Sequence, residues 1–447
     1  MTIRPIAFIR IAPALVAAIS VCVGLFYAVT VPRGLAGDEV SHYLTVEYVA
    51  HHWTMPILGH QGAPYEAQFG PVYYFLAAIV WHIGAIGGST SAFYAVRMVG
   101  VLLFVPAVLL AYRLALALSP DCPGMALTAA AIVGLDPSLL GNFSTVQNDL
   151  LTMVLVMLAI YLFVRWSTQA PVAAREALFL GLLVGIAVIT KSTASLLVVA
   201  LPLAALLRRN RPTLLGAIAY AAGVLLSAGW WLGRNVALYH SLTPLPALHR
   251  AGYPFPPTHI GSPVALARLG YTLFAAYWAP TESFSNTYHL SLFVRLIAVA
   301  LTALALLGLL RVAWTATQSH TQLNTSLPVA TTYIVCFFVA IAAWLIETTL
   351  LIGEQARTTL PVFFVFAIVI SYGIHALLSG LPFQKGLAIT VIVAVSLLAC
   401  NAVEIHQAHS ASPHPPSHAL RHEQRRPPAS CTDPVKATAF TCAPHPG

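Results

Sequence analysis

An all-α polytopic membrane protein is the fold class this sequence predicts, and three observations predict it. Of 447 residues, 58% are hydrophobic and only 8% are Asp, Glu, Lys or Arg, whereas soluble domains carry roughly a quarter charged residues. Mean hydropathy is +0.81, which a chain with a water-facing surface does not reach. The apolar stretches are also continuous, far beyond the roughly ten alternating residues of a membrane β-strand. Lipid offers no hydrogen bonds, so every backbone polar group must be satisfied within the chain, and the remaining solution is helical.

The apolar runs fall at 7–31, 93–118, 124–141, 150–166, 177–190, 192–207, 212–232, 290–312, 329–352, 358–379 and 387–402. Most approach the roughly 20 residues that cross a bilayer, which predicts about 11 transmembrane helices, within a range of about 10–13. The runs 177–190 and 192–207 are short and abut at Lys191. A further stretch, 71–87, is broken by His82 and glycines and carries Tyr73, Tyr74 and Trp81. Those aromatics suit a helix lying along the interface. Arg4 and Arg10 precede the first run, and no small-residue cleavage site stands before Pro32. The first run therefore reads as an uncleaved span.

Basic residues orient the bundle. Arg4, Arg10, Arg165, Arg175, Arg208, Arg209, Arg211 and Lys385 fall in alternate connectors, and the connectors between them are poorer in charge. This pattern predicts a cytoplasmic N-terminus. The first loop (about 32–92), the link 142–149 and the long loop (about 233–289) then share the outer face. Residues 1–402 form the membrane domain in this reading. The polar, His- and Pro-rich tail 403–447 reads as disordered.

Composition also excludes. The net charge of +8 comes from 22 Lys and Arg spread over a membrane chain, which reads as helix-end anchors and phosphate partners rather than a nucleic-acid surface. The six cysteines form no CxxC or metal-ligand spacing. Cys22, Cys336 and Cys400 lie in apolar runs, while Cys431 and Cys442 lie in the tail. There is no Walker loop, so direct ATP coupling is unsupported.

Two acidic motifs carry the chemistry. Asp38 and Glu39 directly follow the first span in Gly37-Asp38-Glu39-Val40-Ser41-His42-Tyr43, and Asp149 opens a later span in Gln147-Asn148-Asp149-Leu150-Leu151. Each acid could simply cap a helix. Carboxylates at a membrane border are costly, however, unless they bind something or meet water. The topology brings all three to one face, where they could act as general base, metal ligand or both. Glu39 and His42, three residues apart on one helix face, are the candidate ligands for a divalent metal. A solvated histidine is the competing reading, since no HExxH-like ligand set appears. Lys191 sits between two short runs, as residues bordering a membrane cavity do. Arg234 and Arg357 lie at outer span ends, where snorkelling to the interface is the plain alternative. Glu347 is expensive in lipid and must face a cavity or pair with a neighbour such as Arg357.

These motifs, in this order, resemble the GT-C glycosyltransferases, closest to the bacterial protein mannosyltransferase and aminoarabinose transferase group. Beside the acidic pair and Asn148-Asp149-Leu150-Leu151, five segments carry the likeness. They are Tyr65-Glu66-Ala67-Gln68-Phe69-Gly70-Pro71-Val72-Tyr73-Tyr74, Arg97, Ile189-Thr190-Lys191-Ser192-Thr193, Trp230-Trp231-Leu232-Gly233-Arg234-Asn235 through His240, and Gln355-Ala356-Arg357-Thr358-Thr359-Leu360-Pro361. Departures stand at Phe69-Gly70, His240 and Ala356, and the likeness ends near residue 400.

The resemblance implies a GT-C-like bundle with outer-face interfacial helices. It implies transfer of a sugar from a polyprenyl-phosphate carrier to a lipid, glycan or protein acceptor on the periplasmic side of a bacterial inner membrane. Asp38 would be the general base, and Glu39 or Asp149 would orient the acceptor or offset oxocarbenium charge. Lys191, Arg234, Arg357 and Gln355 would hold the lipid phosphate, and His42, Gln68, Tyr73 and Asn148 would position the acceptor. A divalent metal is the one cofactor this set could take. Two other classes compete: a multi-pass transporter or lipid-linked-sugar flippase, and a glycan polymerase or ligase. A transporter would show mid-membrane acids and an inverted repeat, and a polymerase would gather its arginines in one late outer loop.

Overall fold

The computed structural model describes residues 5–34, 38–60, 63–167, 172–207, 213–250, 261–278, 291–316, 327–349, 356–378 and 383–410. Sixteen α-helices and no strand occur among them. They are α1 (Pro5–Thr30), α2 (Glu39–His52), α3 (Pro71–Ala85), α4 (Ser89–Leu118), α5 (Pro123–Leu135), α6 (Pro137–Phe143), α7 (Asp149–Ser167), α8 (Ala174–Val188), α9 (Leu196–Leu207), α10 (Leu214–Tyr239), α11 (Leu245–Arg250), α12 (Pro263–Ala276), α13 (Leu292–Ala316), α14 (Leu327–Glu347), α15 (Phe363–Leu377) and α16 (Phe383–Ser410).

Within the described residues, each of the eleven apolar runs is largely helical. Among the described residues eight helices are long and apolar enough to cross a membrane, and α5 with α6, bent by 42°, together have the length and composition of one more. The two remaining runs are α8, of 15 residues, and α9, of 12. The chain is an integral, multi-pass membrane protein. Its long helices expose leucine, valine and isoleucine side chains over their outer faces, as lipid contact requires. Pro137 follows Asp136 directly, and the bend falls there because proline cannot donate to the preceding turn. Asp136 accepts from the Leu139 amide at 3.0 Å and so caps α6.

α3 has 15 residues, about 22 Å of helix, and falls short of the ~30 Å hydrocarbon core. It packs on α2 and α4. The long loop contains α11 and α12. α16 runs eight residues past 402, through Ser410, and buries Glu404. The span expected to stop at 402 therefore continues, because Ala402-Val403-Glu404-Ile405 keeps a packed face. Residues 411–447, with Cys431 and Cys442, lie outside the described residues.

One buried ion pair ties several helix ends together. Arg97 of α4 binds Glu39 of α2 through both carboxylate oxygens, each at 2.7 Å. The same guanidinium donates to the Ala28, Val31 and Pro32 carbonyls where α1 ends. Glu39 also accepts from the Gly34 amide at 3.0 Å and the Val146 amide at 3.1 Å. Gly34 has φ +73°, a conformation that favours glycine. Gly100 lets α4 touch the chain before α7, since a Cβ there would sit 2.1 Å from the Phe143 carbonyl.

Replacing Arg97 with Ala strands Glu39 in the interior. This is expected to cost about 3–5 kcal/mol, read as a lowered thermal midpoint of the purified chain in detergent. A midpoint unchanged within error would show that the pair does not hold these ends.

Candidate active site

The helix ends organised by Glu39 and Arg97 surround a buried polar cluster. Asp38 stands at the N-cap position of α2, yet its side chain caps nothing. It pairs instead with Arg357, carried on the 3-10 turn Ala356–Val362 that leads into α15. One turn into α2, His42 Nδ1 lies 2.8 Å from the Tyr74 hydroxyl, and its ring stacks on Phe69 and Tyr74. His42 Nε2 lies 3.8 Å from Glu66 Oε1, beyond hydrogen-bond reach. Glu66 belongs to the 3-10 turn Tyr65–Gln68 and is fully buried, and neither carboxylate oxygen has a hydrogen-bond partner.

Asp149, in the first turn of α7, accepts from Lys191 Nζ at 2.7 Å through Oδ1, while Oδ2 has no partner. Lys191 occupies the break between α8 and the turn before α9, with its ammonium 4.9 Å from the centre of the Phe69 ring. Gly70 makes this approach feasible: a Cβ there would lie 1.9 Å from the Ile189 carbonyl oxygen. Glu347, at the end of α14, hydrogen-bonds Thr358 and lies within electrostatic reach of Lys191 and Arg357.

Burial and charge set the protonation states. Burial alone would raise the Asp38 carboxyl, but the Arg357 guanidinium beside it holds it below the usual carboxylate range. Burial pushes the His42 imidazole down to about 3, so it is neutral at ordinary pH. Glu66 is pushed up, first by burial and then by the charge of Asp38. A low and a raised carboxyl side by side are the arrangement that separates acid and base duties in active sites.

The sequence candidates therefore divide. Asp38, His42, Asp149, Lys191 and Arg357 come together. Tyr73 is fully buried and edge-on to His42, with ring centroids 6.4 Å apart. Asn148 donates to the Thr190 carbonyl at 3.2 Å, beside Lys191, and its Oδ1 is unpartnered. Gln68 hydrogen-bonds the Tyr65 hydroxyl.

Arg234 stands apart from the ion pairs. It donates to the Met55 and Pro56 carbonyls at 3.4 and 3.3 Å, with its guanidinium 4.5 Å from the centre of the Trp231 ring. Gln355 lies outside the described residues. Glu39 does not meet His42 as a ligand partner, because Arg97 and two amides occupy its oxygens. The group that could hold a metal is Asp38, His42 and Glu66, whose ligand atoms all lie within 4.8 Å of one another. Glu66 is the residue the motif reading left unassigned. Its signal was there, a carboxylate four residues before Gly70-Pro71, but nothing in the spacing told it from a surface glutamate.

Comparison with known proteins follows the same lines. The family model for dolichyl-phosphate-mannose-protein mannosyltransferase matches residues 68–229, which holds Asp149 and Lys191. ArnT from Cupriavidus metallidurans bound to undecaprenyl phosphate superposes over 87% of this chain at 14% identity, with a TM-score of 0.52. The fold is the GT-C fold. The Archaeoglobus fulgidus oligosaccharyltransferase tethered to an acceptor peptide shares this GT-C architecture over 91% of the chain, at 13% identity and a TM-score of 0.51. The chain spans 56% of the length of that oligosaccharyltransferase and 63% of the ArnT chain. No curated protein matches it significantly by sequence.

The Asp149–Lys191 pair is buried and mutually dependent. Asp149→Asn and Lys191→Met should each lower stability by about 3–5 kcal/mol. The double variant should recover about 1–3 kcal/mol relative to their sum, measured as a double-mutant cycle of unfolding midpoints in detergent. Strict additivity would show that the two charges do not depend on each other.

Proposed function

We propose that this chain transfers a sugar from a polyprenyl-phosphate carrier to a hydroxyl acceptor at the membrane border. The observation that carries this reading is the convergence of Asp38, His42, Glu66, Asp149, Lys191 and Arg357, from five separate helix ends, into one buried cluster. A transfer of this kind needs a base for the acceptor and cations for the departing phosphate. Asp38 is the base. It is ionised at neutral pH, and its carboxylate takes the acceptor proton as the acceptor oxygen bonds to C1 of the sugar. The C1–O bond to phosphate breaks in the same step, and its electron pair leaves with the polyprenyl phosphate.

Arg357 and Lys191 offset the charge that collects on that phosphate. Asp149 holds Lys191 in place, and Glu39 acts through Arg97 as a positioning residue. Arg234, whose Nη1 is buried without a partner, serves the lipid phosphate while steadying residues 55–56. Tyr73, Gln68 and Asn148 shape the acceptor side. The basic connectors support a cytoplasmic N-terminus and, with it, a cluster facing the periplasmic side of a bacterial inner membrane.

The cluster is acid-rich for an anionic donor: Asp38, Glu66, Asp149 and Glu347 face two cations, Lys191 and Arg357. A divalent cation on Asp38, His42 and Glu66 would redress this and supply electrostatic stabilisation of the leaving phosphate. Nitrogen and carboxylate donors together suit Mn²⁺ or Zn²⁺.

Purified chain in liposomes, offered a panel of polyprenyl-phosphate sugars and an acceptor extract, tests the reading. Asp38→Asn is expected to lower transfer at least ~100-fold, compared at equal amounts of folded protein because the substitution also leaves Arg357 without its charge partner. Undiminished transfer would remove Asp38 from the reaction. Donor flux across the bilayer without transfer by the unaltered protein would instead favour a flippase. Chelation should lower transfer about tenfold or more, with recovery on adding Mn²⁺. Transfer indifferent to chelation would leave Glu66 as a neutral acid.

A further inference from the structure

Phe69 touches both halves of the buried cluster and belongs to neither ion pair. The Lys191 ammonium lies 4.9 Å from the centre of its ring, within the range at which a ring face attracts a cation. The His42 ring is parallel to it within 5°, at a centroid distance of 6.0 Å. Phe69 closes the 3-10 turn that carries Glu66, and its amide donates to the Glu66 carbonyl at 3.1 Å. Gly70 then rests on the Ile189 carbonyl, two residues before Lys191, where any Cβ would collide. This backbone contact brings the ring within reach of the ammonium. Lys191 is buried, and its ammonium has three hydrogens to place. One goes to Asp149 Oδ1 at 2.7 Å, and the ring face is the second feature that holds the group.

We propose that Phe69 is a positioning residue for the phosphate of the polyprenyl donor, holding the Lys191 ammonium by its ring face without neutralising it. The inference rests on the sugar transfer proposed above. Lys191 already has one carboxylate partner, Asp149. A second carboxylate in place of the ring would cancel the remaining charge and compete with the anionic donor. A ring face attracts the cation through its quadrupole and carries no net charge, so the ammonium keeps its pull on a phosphate oxygen. Asp149 can then release the ammonium to the phosphate while the ring still fixes where it stands. Holding the group in place beforehand spares the donor the cost of ordering it. The parallel contact with His42 ties that position to the half of the cluster that contains Asp38. Phe69-Gly70 is also where the chain departs from the motifs it otherwise resembles, which marks the ring as a feature of this chain.

The test replaces Phe69 in the full chain with mono-, tri- and pentafluorophenylalanine, which drain the ring face stepwise and change its volume little. Unfolding midpoints in nanodiscs are read with and without a short-chain polyprenyl phosphate. The series is run in the unaltered background and in the Asp149→Asn, Lys191→Met double variant, where no charge faces the ring. With Lys191 present, the lipid-free midpoint is expected to fall at each step. The half-saturating lipid concentration should rise about 5–10-fold at the pentafluorinated ring. In the double variant the midpoint should not follow the series. A flat series with Lys191 present would overturn the proposal. Equal slopes in the two backgrounds would overturn it as well, and would reduce the ring to packing. No stabilisation of the unaltered chain by the lipid would instead overturn the proposed donor, and with it the role of Phe69 toward that donor. The lipid-free slopes would still decide whether the ring holds the ammonium, so the two failures are told apart.

Discussion

The buried pair of Glu39 and Arg97 is the constraint on which the rest of the arrangement depends. An ion pair inside a membrane bundle is costly unless every donor and acceptor is used, and here the uses are structural. Arg97 gathers the carbonyls that end α1, and Glu39 gathers the amides of Gly34 and Val146. One interaction therefore fixes where the chain leaves α1, where α2 begins and where it turns into α7. Asp38 sits one residue from this pair and inherits its placement. Asp149 sits three residues from Val146 and inherits the same.

The cluster is built from interruptions rather than from regular helix. Asp38 and Asp149 stand at helix starts, Lys191 at a break, Glu66 and Arg357 on tight 3-10 turns. In a bundle surrounded by lipid, regular helices satisfy their own backbone and present mainly apolar side chains. Chemistry then has to be placed where helices stop, and the ends must be pinned because loops alone would not hold charged groups in register. Gly70 shows how tight the pinning is, since its bare Cα is what allows the turn carrying Glu66 to rest on the Ile189 carbonyl.

Much of the fold was legible because length and hydrophobicity are the physical variables that decide spanning. The short runs on either side of Lys191 and the aromatic stretch 71–87 were legible as departures from that rule. The roles of individual acids were less so. Asp38 and Glu39 are neighbours with matching chemistry, yet one faces Arg357 and the other Arg97, and adjacency in sequence carries no information about which partner each will meet. Spacing by three grouped Glu39 with His42, but a shared helix face is a weaker constraint than two arginines arriving from distant segments. Glu66 was hidden for a related reason: its turn rests on Ser41 and His42 of α2 and, through Gly70, on Ile189, and none of these is near it in sequence. Glu404 was assigned to the tail because polarity rises after 402, whereas a single packed face sufficed to continue the helix.

The buried cluster poses one physical problem. Uncompensated carboxylates in a low-dielectric interior must lose a proton's worth of charge, gain a cation, or be paired. Asp38 and Asp149 take the third route, through Arg357 and Lys191. If those cations are to turn toward a phosphate, their carboxylates must find another partner at that moment, and an acceptor hydroxyl supplies one for Asp38. Donor and acceptor would then each make room for the other, the phosphate drawing Arg357 away while the hydroxyl approaches the freed carboxylate. On the proposed reaction, Asp38 would thereby be restrained as a base by its ion pair until both substrates are present, which would suppress transfer to water.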